Sequence, residues 1–88
     1  MSYKFNEDKT LQELKKYIDG TYSEHYASDK YQATDVIIDS GHGEGFAMGN
    51  IMKYAKRYGN KDGKNRKDLL KILHYGIIMI DIHDKENT

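Results

Sequence analysis

The chain is expected to be all-α, a short N-terminal helix followed by an antiparallel helical hairpin, assembling as a homo-oligomer. Three observations predict this class. Leu11, Leu14 and Ile18 recur at three- and four-residue intervals, the stretch from Phe46 to Tyr58 has no breaker except Gly49, and no second β-branched run exists to pair with residues 36–38 as a strand.

Residues 1–8 are polar and read as a flexible arm, in which Tyr3 and Phe5 could dock on something. The first helix is expected from Asp8 or Thr10 to about Ile18, because Thr10 and Glu13 have capping-box spacing and Gly20 offers a stop. The stretch "TYSEHYASDKYQATD" is polar and tyrosine-rich without a period, so it reads as a connector, with Thr34 or Asp35 capping a brief turn of helix through "DVIIDS". A short strand at 36–38 is the alternative. Helix is preferred, since an isolated strand leaves its backbone unpaired. "SGHGEG" then reads as a flexible break.

The second helix is expected over Phe46 to Tyr58, a rod of about 20 Å at the usual rise. "GNKDGKN" is a tight polar turn, and Asn65 can cap a third helix from Arg66 to about His83. From Ile72 to Ile82 apolar side chains point all round the axis, and such a helix is buried on more than one side. Two partner helices from the same small chain cannot cover it. A neighbouring subunit is therefore expected, with Gly76 allowing a close approach of backbones.

Eighty-eight residues make one domain with a modest core, for which oligomerisation is a standard remedy. Fourteen basic and 14 acidic residues cancel, which argues against general DNA or RNA binding and makes any basic site local. No cysteine means no disulfide scaffold and no thiolate zinc site. The start "MSYKFNEDKT" lacks the apolar core of a signal peptide, and residues 72–82 are too short a run for a membrane span, so a soluble cytoplasmic protein without membrane contact is expected.

On the second helix Asn50, Lys53, Tyr54 and Arg57 share one stripe at i, i+3, i+4 and i+7, beside a core face expected to hold Ala47, Met48, Ile51, Met52 and Ala55. A guanidinium forks onto a phosphate, an ammonium neutralises another, and a flat ring stacks on a base. The alternative is a solvated basic face with Tyr54 half-packed. His25 and Tyr26 read either as a ligand-stacking pair or as an aromatic anchor for the connector. His42 and His74 have no partner at metal spacing, "GHGEG" lacks the lysine and Ser/Thr of a phosphate-binding P-loop, and Asp81 with Asp84 is a single acidic pair. No nucleophile triad is visible. A binding protein without cofactor or metal is expected rather than an enzyme.

The order His25-Tyr26, then "DVI" at residues 35–37, then "GFAMGNIMKYAKR", a lysine-rich turn and "KDLLKILHY" resembles a family of small phage proteins often labelled nucleotide-kinase-like. That resemblance covers roughly residues 25–75. The size, the short first helix, the hairpin and the expected self-association also resemble the phage anti-CBASS sponges, helical hexamers that sequester cyclic oligonucleotide messengers of bacterial immunity. The second resemblance implies an immune-evasion protein that binds cyclic dinucleotides or trinucleotides without cleaving them. In such sponges a tyrosine stacks on a base and Lys or Arg from adjoining subunits hold phosphates, roles that Tyr26, Lys53, Tyr54 and Arg57 would fill, with His25 and Asn50 beside them. The kinase-like label implies instead an enzyme acting on mononucleotides, and predicts a phosphate loop and a magnesium ligand that this sequence does not display. A third reading is an adaptor that binds a host protein through the last helix.

Overall fold

The computed structural model describes residues 2–25 and 29–87, the side chains of residues 25 and 29–32 excepted. The described residues form four helices and no strand: α1 (Glu7–His25), α2 (Asp29–Asp39), α3 (Gly43–Arg57) and α4 (Arg66–Glu86). The all-α class holds, and residues 36–38 are helical. None of these helices is long and apolar enough to cross a membrane.

The first helix is longer than its sequence pattern suggests at both ends. It starts at Glu7, where the Glu7 carboxylate accepts from the Phe5 amide at 2.7 Å and the acidic first turn suits the positive end of the helix dipole. Thr10 therefore lies inside the helix, its amide bonded to the Asn6 carbonyl at 2.9 Å, and is not a cap. Gly20 does not stop α1 either. A mid-helix glycine costs only about 1 kcal/mol relative to alanine, and the segment around it lies against α4, through the edge-to-face Tyr17–His74 rings at 6.2 Å and through Thr21, which lines one cleft with Lys71 and Tyr75. Most of the expected connector is likewise helical, as the last turn of α1 and the bulk of α2.

"SGHGEG" is not a flexible break. Gly41, at φ 91°, ends α2 in a Schellman turn: its amide donates to Ile38 and the His42 amide to Ile37, both at 3.0 Å. Two residues later α3 begins at Gly43, which is buried where α2, α3 and α4 converge. A Cβ there would lie 3.0 Å from Ile82 Cδ1 and 3.1 Å from Ile38 Cγ1. That is tighter than ordinary contact, so any larger residue would push the Ile82 and Ile38 side chains aside.

Helices α3 and α4 form the expected antiparallel hairpin, with Gly43 against Ile82 at one end and Tyr54 against Lys71 at the other. The turn between them closes through Gly59 N–H to Gly63 O at 2.9 Å, and Asn65 caps α4 by accepting from the Lys67 amide at 2.9 Å. Asp68, buried in the first turn of α4, stands where the helix dipole favours a carboxylate. Across the hairpin, α1 is tied to the start of α4 by a two-pronged ion pair, Arg66 Nη2 to Glu13 Oε1 at 2.6 Å and Arg66 Nε to Glu13 Oε2 at 2.8 Å.

The face that α3 turns inward differs from the expected one. Ala47 is buried and Ile51 half-buried, but Met48, Met52 and Ala55 are exposed, and Gly43 and Tyr54 take the buried positions instead. The Tyr54 ring is drawn into the contact with α4, stacked on Tyr75, and the methionines lie outside.

Candidate functional site

Tyr54 is the centre of the site. It belongs to the core, 9% exposed, and its ring lies nearly parallel to that of Tyr75 on α4, with 14° between planes and 6.1 Å between centroids. Phe46, one turn from the start of α3, meets the same Tyr75 edge-on at 5.9 Å. These three rings join the two helices alongside buried Ala47 and Ile82.

Three cations converge on the Tyr54 ring. Lys53 Nζ is 4.7 Å from its centroid, Lys71 Nζ 4.8 Å and Arg57 Cζ 4.9 Å. Each such contact contributes about 0.5–1 kcal/mol at an exposed position. The charges also repel one another, because two groups each within 5 Å of one point are separated by no more than about 10 Å, the Debye length at about 0.1 M salt. None of the three has a carboxylate at ion-pair distance among the described residues. The ring quadrupole thus gathers a local excess of positive charge in a chain whose net charge is zero.

Below the cations runs a narrow cleft of about 40 Å³ between the helices, lined by Tyr17, Thr21 and Thr34 on one side and by Lys71, His74, Tyr75 and Ile78 on the other, with Tyr54 at its end. It opens into a larger groove of about 400 Å³ that shares Thr34, His74 and Ile78 with it. The walls of the groove are Ile18, Ile38, Ile77 and Ile78, and Tyr22, Asp35 and Asp81 bring polar groups to it. Asp81 is engaged by Lys85 at 2.9 Å, a contact that holds the Lys85 ammonium above its ordinary pKa. A groove of this size falls in the range of small-ligand pockets. Its arrangement is cationic at one end and apolar along the middle.

Of the residues singled out in the sequence, the structure brings Lys53, Tyr54 and Arg57 together. Asn50 lies on the same side of α3, but its amide nitrogen is committed to the Phe46 carbonyl at 2.9 Å. Tyr54 is buried with its ring stacked on Tyr75, and in this arrangement it gathers the three cations. Tyr26 and the side chain of His25 lie outside the described residues. Lys71, Tyr17 and Tyr75 were not legible as site residues. The signal for Lys71 was its spacing of three, four and seven from His74, Tyr75 and Ile78 on one side of α4, which the all-round apolarity of that helix obscures. His74 has a structural role against the Tyr17 ring. Among the described residues no three His, Cys, Asp or Glu side chains cluster as a metal site would need.

A family model described as a protein of unknown function, DUF3310, matches residues 21–76, more than half of the chain. The matched segment spans α2, α3, the turn and the first half of α4, and so holds Lys53, Tyr54, Arg57 and Lys71. No curated protein and no solved structure matches the chain.

Proposed function

We propose that this protein, which belongs to the DUF3310 family, binds nucleotides through the cation-ringed Tyr54, and that its role is to sequester a cyclic oligonucleotide messenger of host immunity without cleaving it. The observation that carries the binding step is the convergence of Lys53, Arg57 and Lys71 on one ring with no carboxylate among them. A phosphate placed there relieves the mutual repulsion of three cations and receives a forked guanidinium and two ammonium groups. The adjoining groove offers apolar walls for a base, with Asp35 able to accept from an exocyclic amine. Sequestration as the role rests on the resemblance to the phage sponges and asks for affinity without acid, base or metal.

The test is calorimetric titration with cyclic dinucleotides, cyclic trinucleotides and deoxynucleoside monophosphates, followed by heat denaturation and recovery of the ligand. Saturable heat with a cyclic ligand that is recovered intact is the expected result; silence with every cyclic ligand would end the sponge reading. A second reading, a mononucleotide ligand and a nucleotide-kinase-like activity, is favoured by the room for one base in the groove. It requires ADP to appear when the protein is incubated with ATP, magnesium and a deoxynucleoside monophosphate.

A further inference from the structure

The back of the α3–α4 hairpin is apolar and open. On α4, Leu69, Leu73, Gly76 and Ile80 follow one another at intervals of four, three and four, the spacing of a helix-packing seam. The three apolar side chains among them are exposed, Ile80 by 62%. At 100° per residue this seam lies roughly 160° round α4 from Lys71, His74 and Ile78, which face α1 and α2. On α3 the exposed Met52 lies about as far round from Gly43, which approaches Ile38 of α2, and from Tyr54, which lines one cleft with Thr34 of α2; Met48, also exposed, lies one turn earlier at the edge of a groove that Ile37 of α2 lines too. The α4 seam and Met52 therefore turn away from the α1–α2 layer, and since α3 and α4 are neighbours they lie on one side of the hairpin.

We infer that a second copy of this chain covers that face, antiparallel and related by a two-fold axis near Leu73 and Gly76. Three observations select this occupant. First, the chain exposes 6860 Å², about 1,500 Å² more than the roughly 5,300 Å² expected of a compact monomer of 10.2 kDa. A standard interface takes about 800 Å² from each partner; the excess, which is spread over the whole chain and includes exposed Phe5, Leu11 and Val36 away from this face, is larger than that. Second, Gly76 sits mid-seam with nothing within 4 Å of where a Cβ would be, which lets two α4 helices cross at the short end of the usual 8–10 Å separation. Third, the two ends of the face differ in charge. Glu44 and Asp84 lie where α3 begins and α4 ends, Lys56 and Lys61 lie at the hairpin turn, and none of the four has an ion pair among the described residues. An antiparallel second copy sets the acidic end of one chain on the basic end of the other, whereas a parallel copy sets like on like.

This interface is independent of the nucleotide reading, because the cation cluster and its groove lie on the other side of the hairpin. Light scattering on the intact chain at micromolar concentration should give twice the 10.2 kDa chain mass. Ile80→Asp should halve it while circular dichroism keeps the helical signal, and Met52→Lys repeats the test should Ile80→Asp misfold. The chain has no cysteine, so orientation is read by mild oxidation of single-cysteine variants. Leu69→Cys mixed with Ile80→Cys should cross-link as a heterodimer, and neither should cross-link efficiently with itself. A monomeric wild type, or a mass unmoved by both charge variants, overturns the interface; efficient self-linking of Leu69→Cys overturns its antiparallel sense.

Discussion

The Tyr54 ring of α3 and the Tyr75 ring of α4 lie 6.1 Å apart and 14° from parallel, so the pair that closes the hairpin is also the pair that carries the cation cluster. Structure and site cannot be varied separately at this position except by a conservative change. Tyr54→Ala should cost about 3–5 kcal/mol, as truncation of a core aromatic does, and move the urea midpoint sharply down. Tyr54→Phe keeps the ring and should retain both stability and cation placement. An alanine variant as stable as the wild type would show that the stack does not hold α3 to α4.

The three cations should behave oppositely in the free and bound protein. Lys71→Met, which keeps the aliphatic stem, relieves repulsion in the free protein and should leave the urea midpoint unchanged or raised. It should weaken nucleotide binding about tenfold or more, the worth of one charge-assisted contact, and flatten the salt dependence of binding. Arg57→Lys should also lose affinity, because an ammonium cannot fork onto a phosphate. Binding as tight, and as sensitive to salt, in Lys71→Met would remove Lys71 from the site.

The pair between Glu13 and Arg66 makes the attachment of α1 sensitive to acid. The Arg66 hydrogen bond holds the Glu13 carboxyl below its ordinary pKa, and the same contact raises Arg66. A depressed carboxyl contributes stability that is fully present above its unfolded pKa and is lost as pH falls through the folded value. Amide exchange in α1 should therefore speed up, relative to α4, as pH drops below the ordinary glutamate range. Glu13→Gln should show the faster exchange already at neutral pH and lose that pH dependence. An identical acid profile in the two proteins would assign the loosening elsewhere.

Two glycines of α3 should respond with opposite signs. Gly43→Ala puts a Cβ within 3.0 Å of Ile82 and 3.1 Å of Ile38 in the middle of three helices, and overpacking of this kind costs about 1–3 kcal/mol. Gly49→Ala meets nothing within 4 Å and should gain up to about 1 kcal/mol from helix propensity. For a domain of this size the melting temperatures should then separate by roughly 4–8 °C for each kcal/mol of difference. Equal melting temperatures would contradict the close packing at Gly43.

Asn65 is a plain test of the hairpin's second helix. Its side chain accepts from the Lys67 amide at 2.9 Å, and Asn65→Ala should cost about 0.5–2 kcal/mol. Asn65→Asp should be close to neutral, since a carboxylate accepts the same bond and suits the helix N-terminus. Equivalent losses in both variants would place the effect outside the cap.

What the sequence determined by itself were features governed by local physics. The helical class, the turn at residues 59–65, the Asn65 cap and the antiparallel hairpin follow from spacing, glycine placement and capping chemistry within a few residues of one another. So does the stripe of Lys53, Tyr54 and Arg57, because residues three and four apart on a helix are neighbours whatever surrounds it. The tertiary structure decided what depends on partners distant in the chain. Gly20 reads as a stop, yet α1 runs on to His25, since packing of a helix face outweighs a propensity cost of about 1 kcal/mol. Which face of α3 is buried was settled by Tyr75, 21 positions beyond Tyr54; its ring takes Tyr54 inward and leaves Met48 and Met52 outside. Lys71 joined the cluster for the same reason: α4 folds back antiparallel and carries it to a ring on another helix.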